Sequence, residues 1–394
     1  MLFDSGIDYY SFSNPLIYLL SEFSNLIFCF LFIFVFTLLK KINSREAIFW
    51  VFLFVMAFFI NIFINENQFP DIGGYLRCVR DIRDNFFFDE LGCQIIQSGG
   101  GENLTLYSFK RGLPAIIYSI IPMPSISTFA SIGLINKLYL FFLYIFLKPK
   151  LVDRKNLLIL GIILILPSML LYSSLGLRDN LIFCTQVLLL FSIIKRRLFF
   201  STILLVILSA IKIQNGLVFS FLYIGIFIFQ ADKNLKIFFL YCFLVILSML
   251  AMGDILLATI NYFKLAFLSE DNAISSISSY SPFTSVFELI VISPLSFIEG
   301  MIRPFPQSIS TLVFLLESIV QITIIFWLLR VNYKRMIINP QFLIVLLTFV
   351  IGIVLNDLVI ENDFTYIRYK YTFASMFIIY LLAYKNSSQQ IKKI

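Results

Sequence analysis

Four short polar segments interrupt an otherwise apolar chain, and each carries a cation that could handle an anionic substrate. The first is Leu-Gly-Leu-Arg178-Asp179-Asn180 and the second Ile211-Lys212-Ile213-Gln214-Asn215. Met301-Ile302-Arg303-Pro304-Phe305-Pro306 is the third, where two prolines stiffen the backbone directly after an arginine. The fourth runs from Glu361 through Asn362, Asp363, Tyr366, Arg368 and Tyr369 to Lys370. A guanidinium is a planar fork whose N–H groups match phosphate oxygens two at a time, so three arginines and two lysines suit a phosphate or diphosphate. A plainer reading stands beside three of them. Arg178 and Asp179 make an interfacial ion pair with a snorkelling stem, Lys212 sits in a solvated turn, and Arg368 and Lys370 touch lipid headgroups. The diphosphate reading needs these segments to converge.

The chain contains no histidine among its 394 residues. That removes Ser-His and Cys-His nucleophile pairs and imidazole metal sites, leaving carboxylates, Arg, Lys, Tyr or the substrate to do any chemistry. Gly99, Gly100 and Gly101 lack the flanking residues of a phosphate-binding loop, so ATP-driven work is not expected. No CxxC occurs, and neither a metal nor a cofactor is expected. Cys78 and Cys93 fall in one long loop, where they are either bridged in an oxidising compartment or two unpaired thiols. Cys29, Cys184 and Cys242 lie in apolar stretches as packing residues.

The elements that must position these groups are membrane helices. With 60% hydrophobic and 13% charged residues and a mean hydropathy of +0.93, the composition excludes an ordinary soluble domain. A bilayer core of about 30 Å calls for about 20 apolar residues per helix. About eleven spans are expected, near 15–39, 47–64, 126–147, 157–175, 179–194, 198–211, 215–230, 236–253, 309–329, 340–356 and 369–384. The middle ones are short, which predicts tilted or broken helices there. The expected fold is all-α, one polytopic transmembrane domain over 1–394 with two long outer loops, 65–125 and 254–308.

Basic residues alternate between the two sides. Lys40, Lys41 and Arg45, Lys148 to Lys155, Lys195 to Arg197, Lys233 and Lys236, Arg330 to Arg335, and Lys385 to Lys393 fall on one side, which the positive-inside rule reads as cytoplasmic. The N-terminus then lies outside and the C-terminus inside, and the first span is too long for a removable signal peptide. The net charge of +7 is mostly this flanking charge, so no nucleic-acid partner is indicated. Arg178, Lys212, Arg303, Arg368 and Lys370 all map to the outer side. Within the loops, Leu113 to Pro124 reads as an interfacial or re-entrant helix. Phe283, Phe287, Ile290, Val291 and Phe297 recur at helical spacing, as for a helix on the bilayer surface. Lys137 stands inside a span, where charge is costly and usually faces a partner or water.

In order along the chain, Asp71-Ile-Gly-Gly-Tyr75, Lys110-Arg111-Gly-Leu-Pro114 with Pro122-Met-Pro124, Leu177-Arg178-Asp179, Lys212-Ile-Gln-Asn215, Arg303-Pro-Phe-Pro306 and Arg368-Tyr369 resemble elements of the Wzy-type O-antigen polymerases. The resemblance covers about residues 65–380 and rests on order and topology, each motif being short. It implies a glycosyltransferase that joins undecaprenyl-pyrophosphate-linked oligosaccharide repeat units at the periplasmic face of a bacterial inner membrane, during lipopolysaccharide biosynthesis. The implied fold is similar to that of metal-independent, lipid-donor glycosyltransferases, with no cofactor. Carried over residue by residue, Arg178, Arg303 and Arg368 would bind diphosphate or stabilise the leaving group, assisted by Lys212 and Lys370. Asn215 and Tyr369 would line the substrate, Asp179 would activate the acceptor, and Asp71 and Tyr75 would contact sugar. A chain-length regulator and a flippase of the same pathway are the implied partners, beside the bilayer. The chain departs from members described by an Arg with Gly ten residues later, which occurs nowhere here.

Three other functions compete. A ligase of the related architecture relies on a periplasmic histidine, and a membrane acyltransferase would need a comparable base; neither is present. A lipid-linked oligosaccharide flippase or other transporter would place polar residues near the midplane of repeated halves. The chain shows no internal repeat, and its charges gather at one face.

Overall fold

A computed structural model describes residues 15–63, 70–85, 106–126, 129–151, 153–270, 281–336 and 338–390. Among these all regular structure is helical. In chain order the α-helices are α1 (Pro15–Leu38), α2 (Ser44–Phe63), α3 (Pro70–Asn85), α4 (Leu106–Ser119), α5 (Phe129–Leu147), α6 (Arg154–Ile165), α7 (Pro167–Ser174), α8 (Asp179–Ile194), α9 (Leu198–Ile211) and α10 (Ile213–Phe227). They continue with α11 (Leu235–Ala251), α12 (Gly253–Glu270), α13 (Val286–Ile302), α14 (Ile309–Met336), α15 (Pro340–Val359) and α16 (Asp363–Gln390).

Among the described residues five helices, α1, α2, α5, α14 and α15, are long and apolar enough to cross a bilayer, and the number rises to seven if each of two bent pairs is one span. The bent pairs are α6 with α7, at 63°, and α11 with α12, at 80°. Pro167 opens α7 and cannot extend the hydrogen-bond ladder of α6, which accounts for the first bend. Helices α8, α9 and α10 are apolar but short. The weak middle of the chain is thus built of broken and short helices, as the length of its apolar runs predicts.

The chain divides into two compact units. One comprises Met1–Cys184 with Ala210–Lys212, the other Thr185–Ser209 with Ile213–Ile394. In the first, α5 is the central helix, packed by α1, α2 and α7. Trp50 and Phe54 of α2 meet Phe141 of α5 edge-on, with Trp50 and Phe141 centroids 5.1 Å apart. The approach of α7 to α5 depends on Gly133, where an added Cβ would lie 2.1 Å from the Ser174 carbonyl and 2.5 Å from Asn61 Nδ2. In the second unit α15 is central, contacting α10, α12, α13 and α16. Phe349 of α15 stacks on Phe377 of α16 with centroids 4.4 Å apart.

Loops that the charge pattern assigns to one side meet one another within each unit. In the first, Lys148 after α5 reaches Glu46 at the start of α2 at 2.6 Å and donates to the Lys41 carbonyl at 2.8 Å. In the second, Arg196 between α8 and α9 binds Asp232 between α10 and α11 at 2.7 and 2.8 Å. Asn339 before α15 donates to Tyr384 near the end of α16 at 2.7 Å.

Both long loops contain helices. The 65–125 stretch holds α3 and α4, which pack together. Arg80 Nε donates to the Ile126 carbonyl at 2.7 Å, and Arg83 donates to the carbonyls of Met123 (2.9 Å) and Ile121. Two arginines of this loop are thereby used on the irregular stretch that carries Pro122 and Pro124. In the 254–308 stretch, Ser285 caps α13 by accepting from the Glu288 amide at 3.1 Å, while Glu288 accepts from the Thr284 amide at 2.8 Å. The Thr284 backbone and hydroxyl donors hold the Glu288 carboxyl below its ordinary pKa. On α13, Phe287, Ile290, Val291, Leu295 and Ile298 are exposed, so the expected apolar helix is present and keeps one apolar face outward.

Gly133 and Gly161 give a paired test of the α5–α7 packing. Gly133→Ala forces backbone apart and is expected to destabilise the purified protein by about 1–3 kcal/mol, read as a lower melting temperature in detergent. Gly161 on α6 has open space, so Gly161→Ala should be neutral or stabilising by about 0.5–1 kcal/mol. Equal effects would contradict the close approach.

Candidate functional site

The chain between α7 and α8 is not helical, and its carbonyls would be orphaned in an apolar surround. Amides from neighbouring helices meet them. Asn61 Nδ2 of α2 donates to the Ser174 carbonyl at 2.7 Å. Asn136 Nδ2 of α5 donates to the carbonyls of Leu175 and Leu177, the latter at 2.7 Å. The Tyr118 hydroxyl of α4 also donates to Leu177, at 2.8 Å, and Asn180 Nδ2 returns a bond to the Asn136 carbonyl at 2.7 Å. Lys137, wholly buried in the middle of α5, donates to the Ser173 hydroxyl at 2.6 Å, and Ser173 passes a bond to the Met169 carbonyl.

Arg178 and Asp179 sit at this break. Asp179 opens α8 and is fully buried, as is Asn180. Arg178 is partly exposed, and its Nη1 lies 3.3 Å from the Ile211 carbonyl. Ile211 ends α9, and buried Lys212 follows as the single residue before α10. Two of the four cationic segments therefore meet, Arg178 reaching the turn that holds Lys212. Asn215 is buried in the first turn of α10 and belongs to the second unit.

The second unit gathers the other two segments. Arg303 follows α13 and joins it to α14 through a cis Arg303–Pro304 peptide. Its guanidinium is nearly buried and engaged on every edge. Nε donates to Asp363 Oδ1 at 2.9 Å, and Nη1 donates to Asp357 Oδ1 at 3.2 Å and the Ile360 carbonyl at 2.9 Å. Nη2 donates to the Glu361 carbonyl. Tyr366 lies under the guanidinium, 4.8 Å from carbon to ring centroid. Burial opposes the charge on Arg303, but the carboxylates of Asp363 and Asp357 outweigh it and raise the pKa above its ordinary value.

No family model matches this chain, and neither the curated proteins nor the solved structures return a match.

Lys370 is buried below Arg303 and spends its ammonium on protein. It donates to the carbonyls of Met301 and Arg303, the latter at 2.8 Å, and to the Ser318 hydroxyl at 2.8 Å. Ser318 in turn donates to the Arg303 carbonyl at 2.9 Å. A cation at the C-terminus of α13 satisfies carbonyls that the helix itself leaves open and complements its dipole. Tyr366 anchors the same turn by donating to the Gly300 carbonyl at 2.8 Å. Gly300 permits this, since an added Cβ would lie 2.4 Å from the Tyr366 hydroxyl. Tyr369 is buried, and Arg368 is partly exposed, its guanidinium 5.8 Å from the Tyr369 ring.

Of the remaining expected residues, Tyr75 is buried on α3 with its ring 6.3 Å from Tyr118. The side chains of Asp71, Lys110 and Arg111 lie outside the described residues. Cys78 is disulfide-bonded, whereas Cys93 lies outside the described residues; Cys29, Cys184 and Cys242 are free thiols. Among the described residues no group of three or more His, Cys, Asp or Glu could hold a metal ion. The residues that sequence reading missed are Asp357, Ser318, Asn61, Asn136 and Ser173. All lie in apolar stretches, where an intramembrane polar group is itself the signal.

Removing Arg303 leaves two poorly exposed carboxylates without their counter-ion. Arg303→Ala is expected to cost about 3–5 kcal/mol of stability, and Asp357→Asn in that background should recover part of it. Denaturant unfolding in detergent measures both, and additive losses would argue against the network. Lys370→Met removes the side-chain donor to the Met301 carbonyl, while the Arg303 carbonyl keeps the Ser318 hydroxyl, and should cost about 1–3 kcal/mol in the same measurement.

Proposed function

We propose that this protein is a polymerase of lipid-linked oligosaccharide repeat units in O-antigen synthesis, acting at the periplasmic face of a bacterial inner membrane. In this reading the chain crosses the membrane about eleven times, with the N-terminus outside and the C-terminus inside. The observation that carries it is the meeting, in one unit, of two cations from sequence-distant segments, Arg303 at the α13–α14 junction and Lys370 near the start of α16, whose ammonium donates to the Arg303 carbonyl. It adds to the resemblance in motif order and to the absence of histidine, which disfavours a ligase. A diphosphate leaving group is the chemistry such cations serve, through charge stabilisation rather than through a metal. The acceptor hydroxyl of the incoming unit attacks the anomeric carbon of the growing glycan, the C–O bond to the pyrophosphate breaks, and the proton passes to a base. Asp179 is the assigned base, and Asn215, Tyr369, Asp71 and Tyr75 are assigned to sugar contact. Undecaprenyl-pyrophosphate-linked oligosaccharide is the substrate, and a chain-length regulator and a flippase are the partners.

One observation favours transport instead. Lys137 is buried within a span and bonded to Ser173 near the non-helical stretch between α7 and α8, and transporters build their binding sites from unwound helices at the midplane. A lipid-linked oligosaccharide flippase is the second reading.

Deletion of the gene in its own strain, followed by gel separation of surface lipopolysaccharide, separates the two. A polymerase predicts loss of the long ladder with core plus a single repeat unit retained. Bare core alone would sink the polymerase reading in favour of the flippase, and an unchanged ladder would reject both.

A further inference from the structure

Resting on the reading of Arg303 as a diphosphate-binding group, we infer that Asp363 is a built-in competitor for that site, a carboxylate that occupies the guanidinium until a phosphate displaces it. A lone arginine waiting for an anion would show free N–H groups. Here four donor contacts go to protein: Asp363, Asp357 and the carbonyls of Ile360 and Glu361. A phosphate oxygen reaches Arg303 only by taking the place of one of them.

Asp363 is the one placed to leave. The two carbonyls belong to the fixed backbone turn between α15 and α16. Asp357 is held inside the last turns of α15, with a side chain only 6% exposed and its Cβ packed near Gly300. Asp363 lies in the first turn of α16, and its side chain is 16% exposed. The start of α16 does not need it either. Asn362 Oδ1 accepts from the amides of Phe364 at 2.9 Å and Thr365 at 3.3 Å, so the helix stays capped when Asp363 swings away. The exchange conserves bond type, since Nε donates to an anionic oxygen before and after.

Charge also requires that Asp363 leave if a phosphate is to bind. One guanidinium serves two carboxylates, and Lys370 below is committed to carbonyls and a hydroxyl. Releasing Asp363 to solvent relieves that excess, while Asp357 keeps Arg303 oriented. The carboxylate of nearby Glu361 is paired with Lys264 at 3.5 Å, and its carbonyl accepts from Arg303. A headgroup phosphate of a prenyl lipid and a free pyrophosphate share this chemistry.

The test is a titration of full-length protein in detergent with inorganic pyrophosphate and, separately, with a short-chain prenyl diphosphate. Asp363→Asn keeps the shape and removes the competing charge, and it is expected to tighten binding about tenfold. Arg303→Lys in the Asp363→Asn background should abolish that gain. Asp363→Glu, which keeps the charge, should bind like the wild type and controls for a folding defect. A gain with the prenyl diphosphate alone supports the inference for a lipid headgroup, and a gain with pyrophosphate alone supports it for a free anion. Unchanged or weaker binding of both probes by folded Asp363→Asn protein would overturn it. The readout is independent of glycan synthesis: tighter binding with a normal ladder in the deletion strain keeps this inference and fails only the polymerase reading.

Discussion

A helix that ends or breaks among apolar side chains leaves carbonyls with no water to satisfy them, and much of this protein is arranged around that constraint. The break between α7 and α8 is met by Asn61, Asn136 and Tyr118. The irregular stretch after α4 is met by Arg80 and Arg83. The end of α13 is met by Lys370 and Tyr366, and the turn after α15 by Arg303. Polar residues that look like chemistry in the sequence are, in the first instance, the donors that let short helices exist in a bilayer.

The same constraint explains why the cationic segments sit where they do. A loop between two helices of an apolar bundle is where carbonyls go unpaired, and cations are strong donors to them. Lys212 and Arg303 each occupy such a junction, as does Arg178, whose side chain reaches the Ile211 carbonyl. Structural and functional roles are compatible in Arg303, because a donor that holds a carboxylate can exchange it for a phosphate. They are harder to combine in Lys370, whose ammonium is spent on two carbonyls and a hydroxyl. Arg368 on the same helix is partly exposed, with its guanidinium 5.8 Å from the Tyr369 ring.

The two reading levels meet most closely in the basic loops. Charge alternation puts Lys41, Arg45 and Lys148 on one side, and Lys148 touches Glu46 and the Lys41 carbonyl. It puts Arg196 and Lys233 together, and Arg196 binds Asp232. Where the sequence is silent, the cause is distance along the chain. Lys137 has no local explanation because its partner, Ser173, lies on another helix. Asp357 escapes notice as one carboxylate at the end of an apolar run, and only Arg303, 54 residues away, gives it meaning.

Hydropathy and charge alternation are properties of short windows, so the sequence alone determined the helical membrane class, the weak middle and the shared ends of the basic loops. The same windows placed one helix in each long loop, although the first ends at Ser119 rather than Pro124, and they did not place α3 or α12. Whether a cation stands open or is held by a carboxylate depends on residues tens of positions apart brought together by packing. Only the tertiary structure decided that Arg303 is clamped by Asp357 and Asp363, that Lys370 caps α13, and that Arg178 reaches the turn at Lys212. A close approach such as Gly133 against Ser174 likewise has no signature in one strand of sequence, because the clash it avoids belongs to another helix.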